Sequence, residues 1–281
     1  MSLKMNKVNK PKNTRTVAIL TGATGGIGKA IAKQLVTEDA TLILVGRNLE
    51  SLEQVAKDLI TDKHCSGKVY NCATDITKAE GRHYLAEFIT TINEQVNMLI
   101  NGAGINDFNL FEQQSSDLIS QMMHVNCTSP MLLIHELYSY FKKQPAAQII
   151  NIGSTFGSIG YPGYSSYCAS KFALRGFTES LSRESADTNI KVRYFSPRAT
   201  STPINSNAVI EMNKELNVNM DSPEEVARQF CQFIKTDDNS MYLGWPEKLQ
   251  VKINQLFPTI VGNAIIKTLP IIKKYAQIKL F

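Results

Sequence analysis

A glycine-rich turn most constrains this chain. Thr21-Gly22-Ala23-Thr24-Gly25-Gly26-Ile27-Gly28 separates a buried-strand pattern, Thr16–Thr21 (TVAILT), from a helical stretch that runs to about Thr37. Glycine lets a backbone turn tightly and approach a ligand closely. A helix that starts there offers N–H groups with no carbonyl partner, the ready seat for a phosphate. The spacing is Gly22-x-x-x-Gly26-x-Gly28, so the turn either cradles a pyrophosphate or only closes the corner between strand and helix.

The rest of the chain repeats that alternation. Strand patterns occur at Thr41–Val45, Lys68–Cys72, Met98–Asn101, Gln148–Ile152, Ile190–Phe195 and Met241–Leu243. Helical patterns occur at Asn48–Ile60, Lys78–Asn93, from Ser129-Pro130 onward, at Tyr164–Ala186 and at Pro223–Ile234. Strands alternating with helices of 10–20 residues imply an α/β fold with a mostly parallel sheet covered on both faces. No repeat or linker interrupts 16–245, which reads as one domain flanked by a basic arm, 1–15, and a basic extension, 246–281.

Composition narrows the function classes. With 43% hydrophobic and 20% charged residues the chain is an ordinary globular one. The net charge of +5 is uneven: 1–15 and 246–281 each carry +5, leaving the body at −5, which argues against a nucleic-acid partner. Five scattered cysteines without C-x-x-C, and no signal-peptide pattern, fit a reducing cytoplasmic setting. The four histidines have no metal-ligand spacing, so no metal is expected.

The second strand ends Val45-Gly46-Arg47-Asn48. A ribose 2′-hydroxyl wants a carboxylate there; Arg47 instead suits the 2′-phosphate of NADP(H), with NAD(H) the less favoured cofactor. Asp75, after the third strand, either accepts from an adenine amine or caps the next helix. Tyr167 and Lys171 stand four apart on a helix and so share a face. Such a pair means little alone, but Ser154 ends the preceding strand, Asn101-Gly102-Ala103-Gly104 ends the fourth, and Asn126 precedes an apolar helix.

Together these motifs resemble the short-chain dehydrogenase/reductase family over residues 16–245. The resemblance implies a doubly wound Rossmann fold with about seven parallel strands and the cofactor across their carboxyl ends. It implies a catalytic tetrad of Asn126, Ser154, Tyr167 and Lys171, and assigns Asn101 to stabilising the central sheet. The implied cofactor contacts are Gly22, Thr24, Gly25, Gly26, Ile27 and Gly28, then Arg47, Asp75, Ile76, Asn101, Gly102 and Ala103, then Tyr167, Lys171, Pro197 and Thr202. In that scheme Tyr167 exchanges a proton with the substrate oxygen, and Lys171 lowers its pKa. Ser154 bonds the substrate carbonyl, and Asn126 organises a water relay to Lys171. Cys168, beside Tyr167, reads as packing.

One departure stands out: where the family has Pro-Gly after the sixth strand, this chain has Pro197-Arg198. Arg198 can face an anionic group of substrate or cofactor, or simply lie at the surface. The implied reaction is reduction of a carbonyl, or oxidation of the matching alcohol, in an apolar small molecule, with Phe108, Phe111, Phe156, Ile159, Tyr161, Ile210, Met212, Leu216 and Met220 near the substrate. Two alternatives are a redox-sensing NADP-binding protein without turnover and an epimerase or dehydratase on the same fold. Met131–Phe141 is apolar almost all round and expected to be buried on both sides, partly in a homodimer or homotetramer. The basic amphipathic extension, expected to break into short helices at Pro258 and Pro270, suits either peripheral contact with an anionic membrane or docking on the body or a partner subunit as a lid.

Overall fold

The computed structural model describes residues 15–61 and 67–276. Seven strands, β1 (Val17–Thr21), β2 (Thr41–Gly46), β3 (Val69–Ala73), β4 (Met98–Asn101), β5 (Ala147–Ile152), β6 (Ile190–Ser196) and β7 (Ser240–Tyr242), form one sheet. Their order is β3-β2-β1-β4-β5-β6-β7, and every pairing is parallel. The helices are α1 (Gly26–Thr37), α2 (Leu49–Ile60), α3 (Ala79–Thr91), α4 (Ser116–Met123), α5 (Ser129–Lys142), α6 (Ser165–Glu184), α7 (Asn207–Glu215), α8 (Pro223–Phe233), α9 (Glu247–Leu256) and α10 (Pro258–Ala276).

Apolar side chains on both faces of the strands explain the layering. Ala18, Leu20, Leu42, Leu44 and Ile100 pack with Ile31 and Leu35 of α1, Leu52 of α2 and Phe230 of α8. Ile19, Ile43, Leu99, Ile149 and Val192 pack on the other face with Leu85 of α3, Leu133 and Phe141 of α5, and Phe177 of α6. Each fully buried Leu, Ile, Val or Phe among them contributes about 1.5–3 kcal/mol of transfer free energy. Strand order reverses between β1 and β4, opening a crevice at their carboxyl ends where ligands of such sheets bind. This is the doubly wound Rossmann arrangement expected from the sequence.

Several details differ from the sequence reading. Helix α5 does not begin afresh at Ser129: α4 leads through a π-helical turn, His124–Thr128, straight into it. Pro130 has no N–H to donate to the carbonyl of Asn126, so the ladder widens there rather than ending. Within the single chain one side of α5 stays open, with Met131 and Leu132 36% and 39% exposed. Pro258 separates α9 from α10, but Pro270 sits inside α10 without ending it. The carbonyl it leaves unpaired belongs to Ile266, which is exposed, so water can serve it.

The C-terminal helices dock on the body. Val251 and Val261 bury against Ile159, and Asn254 Nδ2 donates to the Ser158 carbonyl at 2.9 Å. Lys274 Nζ and Tyr275 Oη both donate to Glu215 Oε2 at 2.7 Å. No described helix is long and apolar enough to cross a membrane. A membrane contact for this tail is unsupported; docking is the arrangement it adopts. The basic arm, apart from Arg15, lies outside the described residues, as does Cys65.

Candidate active site

The phosphate turn is built by contacts that only glycine permits. Gly22 has φ +69, and a Cβ there would lie 2.6 Å from the Gly102 carbonyl oxygen. A Cβ at Gly28 would meet the Gly22 carbonyl oxygen at 2.1 Å. Thr21 Oγ1 accepts from the N–H of Gly102 at 3.1 Å and of Ala103 at 3.2 Å, binding the end of β1 to the turn after β4. Gly25 caps α1 without a side-chain bond, and the N–H groups of Gly26, Ile27 and Gly28 find no carbonyl among the described residues. That open helix end can receive a pyrophosphate. Thr24 and Gly25 are exposed beside it.

Arg47, at the end of β2, is exposed and makes no hydrogen bond or ion pair among the described residues, so its guanidinium is available to a ligand. Asp75 closes a turn onto Thr77 rather than capping α3, whose N-cap is Lys78: its Oδ1 accepts from Thr77 N at 3.0 Å and Thr77 Oγ1 at 2.7 Å. Burial pushes the Asp75 pKa up, but the Thr77 hydrogen bonds and the nearby Arg47 and Lys78 outweigh it and hold the carboxyl below its ordinary value. Ile76 is buried in the core, and its carbonyl accepts from Arg82 Nη1 at 2.9 Å. Its side chain therefore does not face the crevice.

Asn101 does sheet work. Its Nδ2 donates to Asn151 Oδ1 at 2.8 Å across paired β4 and β5, and Asn151 Nδ2 donates to Thr178 Oγ1 of α6 at 2.9 Å. At the carboxyl end of β5, Ser154 neighbours the Tyr167 hydroxyl and acts against the rise in its pKa. Ser154 Oγ accepts from Phe156 N at 3.2 Å. Lys171 lies one turn along α6 from Tyr167, with Nζ donating to the Ile152 carbonyl at 3.0 Å and 5.8 Å from the Tyr167 ring centroid.

The electrostatics correct one expectation. Burial pushes the Tyr167 phenol up to about 12, Ser154 only partly opposing it, and burial pulls Lys171 down to about 8. Lys171, its ammonium on the Ile152 carbonyl, does not bring the Tyr167 pKa below its ordinary value, because desolvation dominates both groups. At neutral pH the phenol is protonated and about nine in ten Lys171 side chains are charged. Asn126 is held by three side-chain hydrogen bonds. Its Oδ1 accepts from Ile105 N, and its Nδ2 donates to Ile105 O, both at 2.8 Å, and to Ser170 Oγ at 3.0 Å. The side chain thus fixes the loop after β4 against α6.

Other supporting groups escaped the sequence reading. Tyr194 Oη accepts from Ser154 N and donates to Ser154 O, both at 3.3 Å, holding the serine from beneath. Gly153 and Gly157 make room for that ring, since a Cβ on either would strike it. Asn151, a polar residue inside Ile149-Ile150-Asn151-Ile152, was the legible signal for the other tie.

The substrate side is aromatic. Phe156 stacks on Tyr161 at 4.9 Å and stands edge-on to Tyr167 at 6.5 Å, with Phe108 and Val209 of α7 in the same cluster. Burial pushes the Tyr161 phenol up, with Thr268 of α10 near enough to act against it. Met212 is buried, whereas Phe111 is exposed and Ile159 packs under α9 and α10. Cys168 is buried beneath the cluster, and its thiol is pushed up to about 11 by burial, as suits packing.

After β6, Pro197 is buried and its carbonyl accepts from Thr155 N at 3.0 Å. Thr202 lies directly over the phosphate turn: a Cβ on Gly26 would be 2.7 Å from its Cγ2. Arg198 faces neither the crevice nor solvent; it pairs with Asp221 at 2.7 Å and Glu247 at 3.1 Å.

Comparison with known proteins agrees with this geometry. The short chain dehydrogenase family profile matches residues 16–213. An uncharacterized oxidoreductase of Staphylococcus saprophyticus is 31% identical over 230 residues, 80% of this chain and 92% of that one. A short chain dehydrogenase/reductase of Burkholderia phymatum in complex with NAD superposes with TM-score 0.77 at 19% identity, covering 88% of this chain and 95% of that one. An alcohol dehydrogenase of the archaeon Thermococcus sibiricus complexed with 5-hydroxy-NADP gives TM-score 0.71 at 21% identity, covering 82% and 96%. A turn that only glycine can make, a Tyr167–Ser154 pair beside a buried Lys171, and a profile match over most of the chain lead to one assignment: the chain belongs to the short-chain dehydrogenase/reductase family of oxidoreductases.

Proposed function

We propose that the protein is an NADP(H)-dependent oxidoreductase that reduces the carbonyl of an apolar small molecule, or oxidises the matching alcohol. The observation that carries this is the protonated Tyr167 phenol next to Ser154, beside Lys171, under an aromatic wall. The bound nicotinamide supplies or accepts the hydride. Ser154 orients the substrate oxygen, Tyr167 donates its proton to that oxygen, and charged Lys171 stabilises the phenolate left behind. Asn126 is a positioning residue for the loop after β4. The pyrophosphate is held by the open N–H groups of Gly26, Ile27 and Gly28, under Thr202. Asp75 keeps Oδ2 free for an adenine amine while Oδ1 caps the turn.

NADP(H) is preferred over NAD(H) because Arg47 is a free cation where a ribose carboxylate would otherwise stand. The complexes of relatives with both dinucleotides make this the point to test first. Titration of the protein with NADPH and NADH, following fluorescence, is expected to give tighter NADPH. Arg47→Ala should weaken NADPH about tenfold and leave NADH unchanged. Equal affinities would remove the NADP reading. Tyr167→Phe is expected to bind cofactor normally and lose about a hundredfold or more in turnover; retained turnover would defeat the proton-donor role.

Exposed Met131 and Leu132 on α5 and Phe172 on α6 supply the contact face for a homodimer or homotetramer. Four buried free cysteines, Cys72, Cys127, Cys168 and Cys231, suit a reducing compartment, consistent with a cytoplasmic location.

A further inference from the structure

Arg198 occupies a tight loop where relatives of this fold were expected to carry glycine, and its surroundings give it a use. The side chain is 15% exposed. Its Nη2 donates to Asp221 Oδ1 at 2.7 Å, and its Nη1 donates to Glu247 Oε2 and to the Trp245 carbonyl, both at 3.1 Å. Asp221 is itself stitched to the loop that Arg198 begins. Ser201 N donates to the Asp221 carbonyl and Asp221 N donates to the Ala199 carbonyl, both at 2.9 Å. Farther along, Asn205 N donates to the Thr202 carbonyl at 3.1 Å, and Asn205 Nδ2 donates to the Thr200 carbonyl at 2.7 Å. The loop therefore moves as a unit, and it carries Thr202 against Gly26. On the other side, Gly244, at φ +85, leaves the space that the arginine stem fills: a Cβ there would lie 2.3 Å from Arg198 Cδ.

We propose that Arg198 is a positioning residue that ties the C-terminal extension, through Trp245 and Glu247, to the 197–205 loop and so holds Thr202 over the phosphate-binding end of α1. The extension thereby tightens the grip on the cofactor without touching it. This inference rests on the dinucleotide reading of that helix end. Glu247 of the extension and Asp221, the residue stitched to the loop, share a single guanidinium whose two outer nitrogens suit two separate acceptors, an arrangement lysine cannot reproduce.

The test uses the full-length protein. Arg198→Met, which keeps the stem and removes the charge, is expected to raise the NADPH dissociation constant and the KM for NADPH about tenfold, with kcat at saturating cofactor within about twofold. Glu247→Gln, a gentler change at the far end of the tie, should raise them about threefold and keeps the idea testable if Arg198→Met does not fold. The double variant should be no worse than Arg198→Met, because the two residues act through one contact. Hydrogen exchange at Ser201–Asn205 should speed up in both single variants. Cofactor affinity within twofold of the parent in both variants overturns the inference, even if their melting temperatures fall, since that is what a merely structural role predicts. If the parent binds neither NADPH nor NADH, the dinucleotide reading fails instead.

Discussion

Lys171 is the residue whose function and stability conflict most directly. It is 6% exposed, and burial lowers its pKa from an ordinary 10.5 to about 8. Keeping it charged in the folded protein at pH 7 therefore costs about 3 kcal/mol. Lys171→Met removes that cost at nearly constant volume, while orphaning the Ile152 carbonyl returns about 1–2 kcal/mol of it. The variant should be more stable than the parent by roughly 1–2 kcal/mol at pH 7, although it loses turnover. The sign of the pH dependence is fixed. Between pH 8 and 10.5 the unfolded chain holds a proton that the folded chain has released, so parent stability rises with pH, and the variant lacks that slope. The advantage of Lys171→Met should thus shrink by about 2 kcal/mol from pH 7 to pH 9.5. Urea unfolding of both proteins at the two pH values measures it. A difference between them that does not change with pH would refute the claim that a buried, charged lysine is being held at a cost.

Two further substitutions probe the frame around the site. Tyr194→Phe removes the hydroxyl that clamps the Ser154 backbone on both sides; kcat should fall about tenfold with NADPH affinity unchanged, read from steady-state and binding measurements side by side. Gly28→Ala puts a Cβ 2.1 Å from the Gly22 carbonyl oxygen, which no side-chain shift relieves, so cofactor binding should fall at least a hundredfold and the melting temperature should drop. Native-like NADPH binding by Gly28→Ala would show the turn to be looser than its contacts imply.

Elements with a strong period or a special residue were legible in the sequence. The central strands and the helices with a clean apolar face stood out, because a buried parallel strand can hardly be written in anything but Val, Ile and Leu, whereas the edge strands β3 (VYNCA) and β7 (SMY) were weaker signals. The glycine turn, Tyr167 and Lys171 were legible because their chemistry admits few substitutes. Helices α4 and α7 were missed: they are only eight and nine residues long, too short to show a full apolar period, and each is started by a serine, Ser115 or Ser206, whose oxygen accepts an N–H of the first turn. The fate of Arg198 was illegible for another reason. Its partners Asp221 and Glu247 are 23 and 49 residues away, and no local pattern links them. The high pKa of Tyr167 likewise depends on how completely the aromatic wall covers it, which is a property of packing rather than of the Tyr-x-x-x-Lys spacing.

The partners of α6 explain how a site of this precision is held on a helix rather than by bulk packing. Along the face that looks at the sheet, Ser170 accepts from Asn126, Lys171 donates to the carbonyl of Ile152, and Thr178 accepts from Asn151. Asn151 in turn accepts from Asn101, and Ser170 Oγ donates to the carbonyl of Tyr167 itself at 2.7 Å. Apolar contacts would let this helix slide by a fraction of a turn at little cost, because dispersion is weakly directional. Hydrogen bonds in a dry interface do not, since a displaced donor is left unpaired at about 1–3 kcal/mol. The seam of Asn101, Asn126, Asn151, Ser170 and Thr178 therefore sets the register of α6 on the sheet. Tyr167 and Lys171 inherit their places from it, with Ser154 fixed separately by Tyr194 from β6. Of the side-chain atoms of this seam, Asn101 Oδ1 alone is buried without a partner, a satisfied hydrogen bond traded for a fixed geometry.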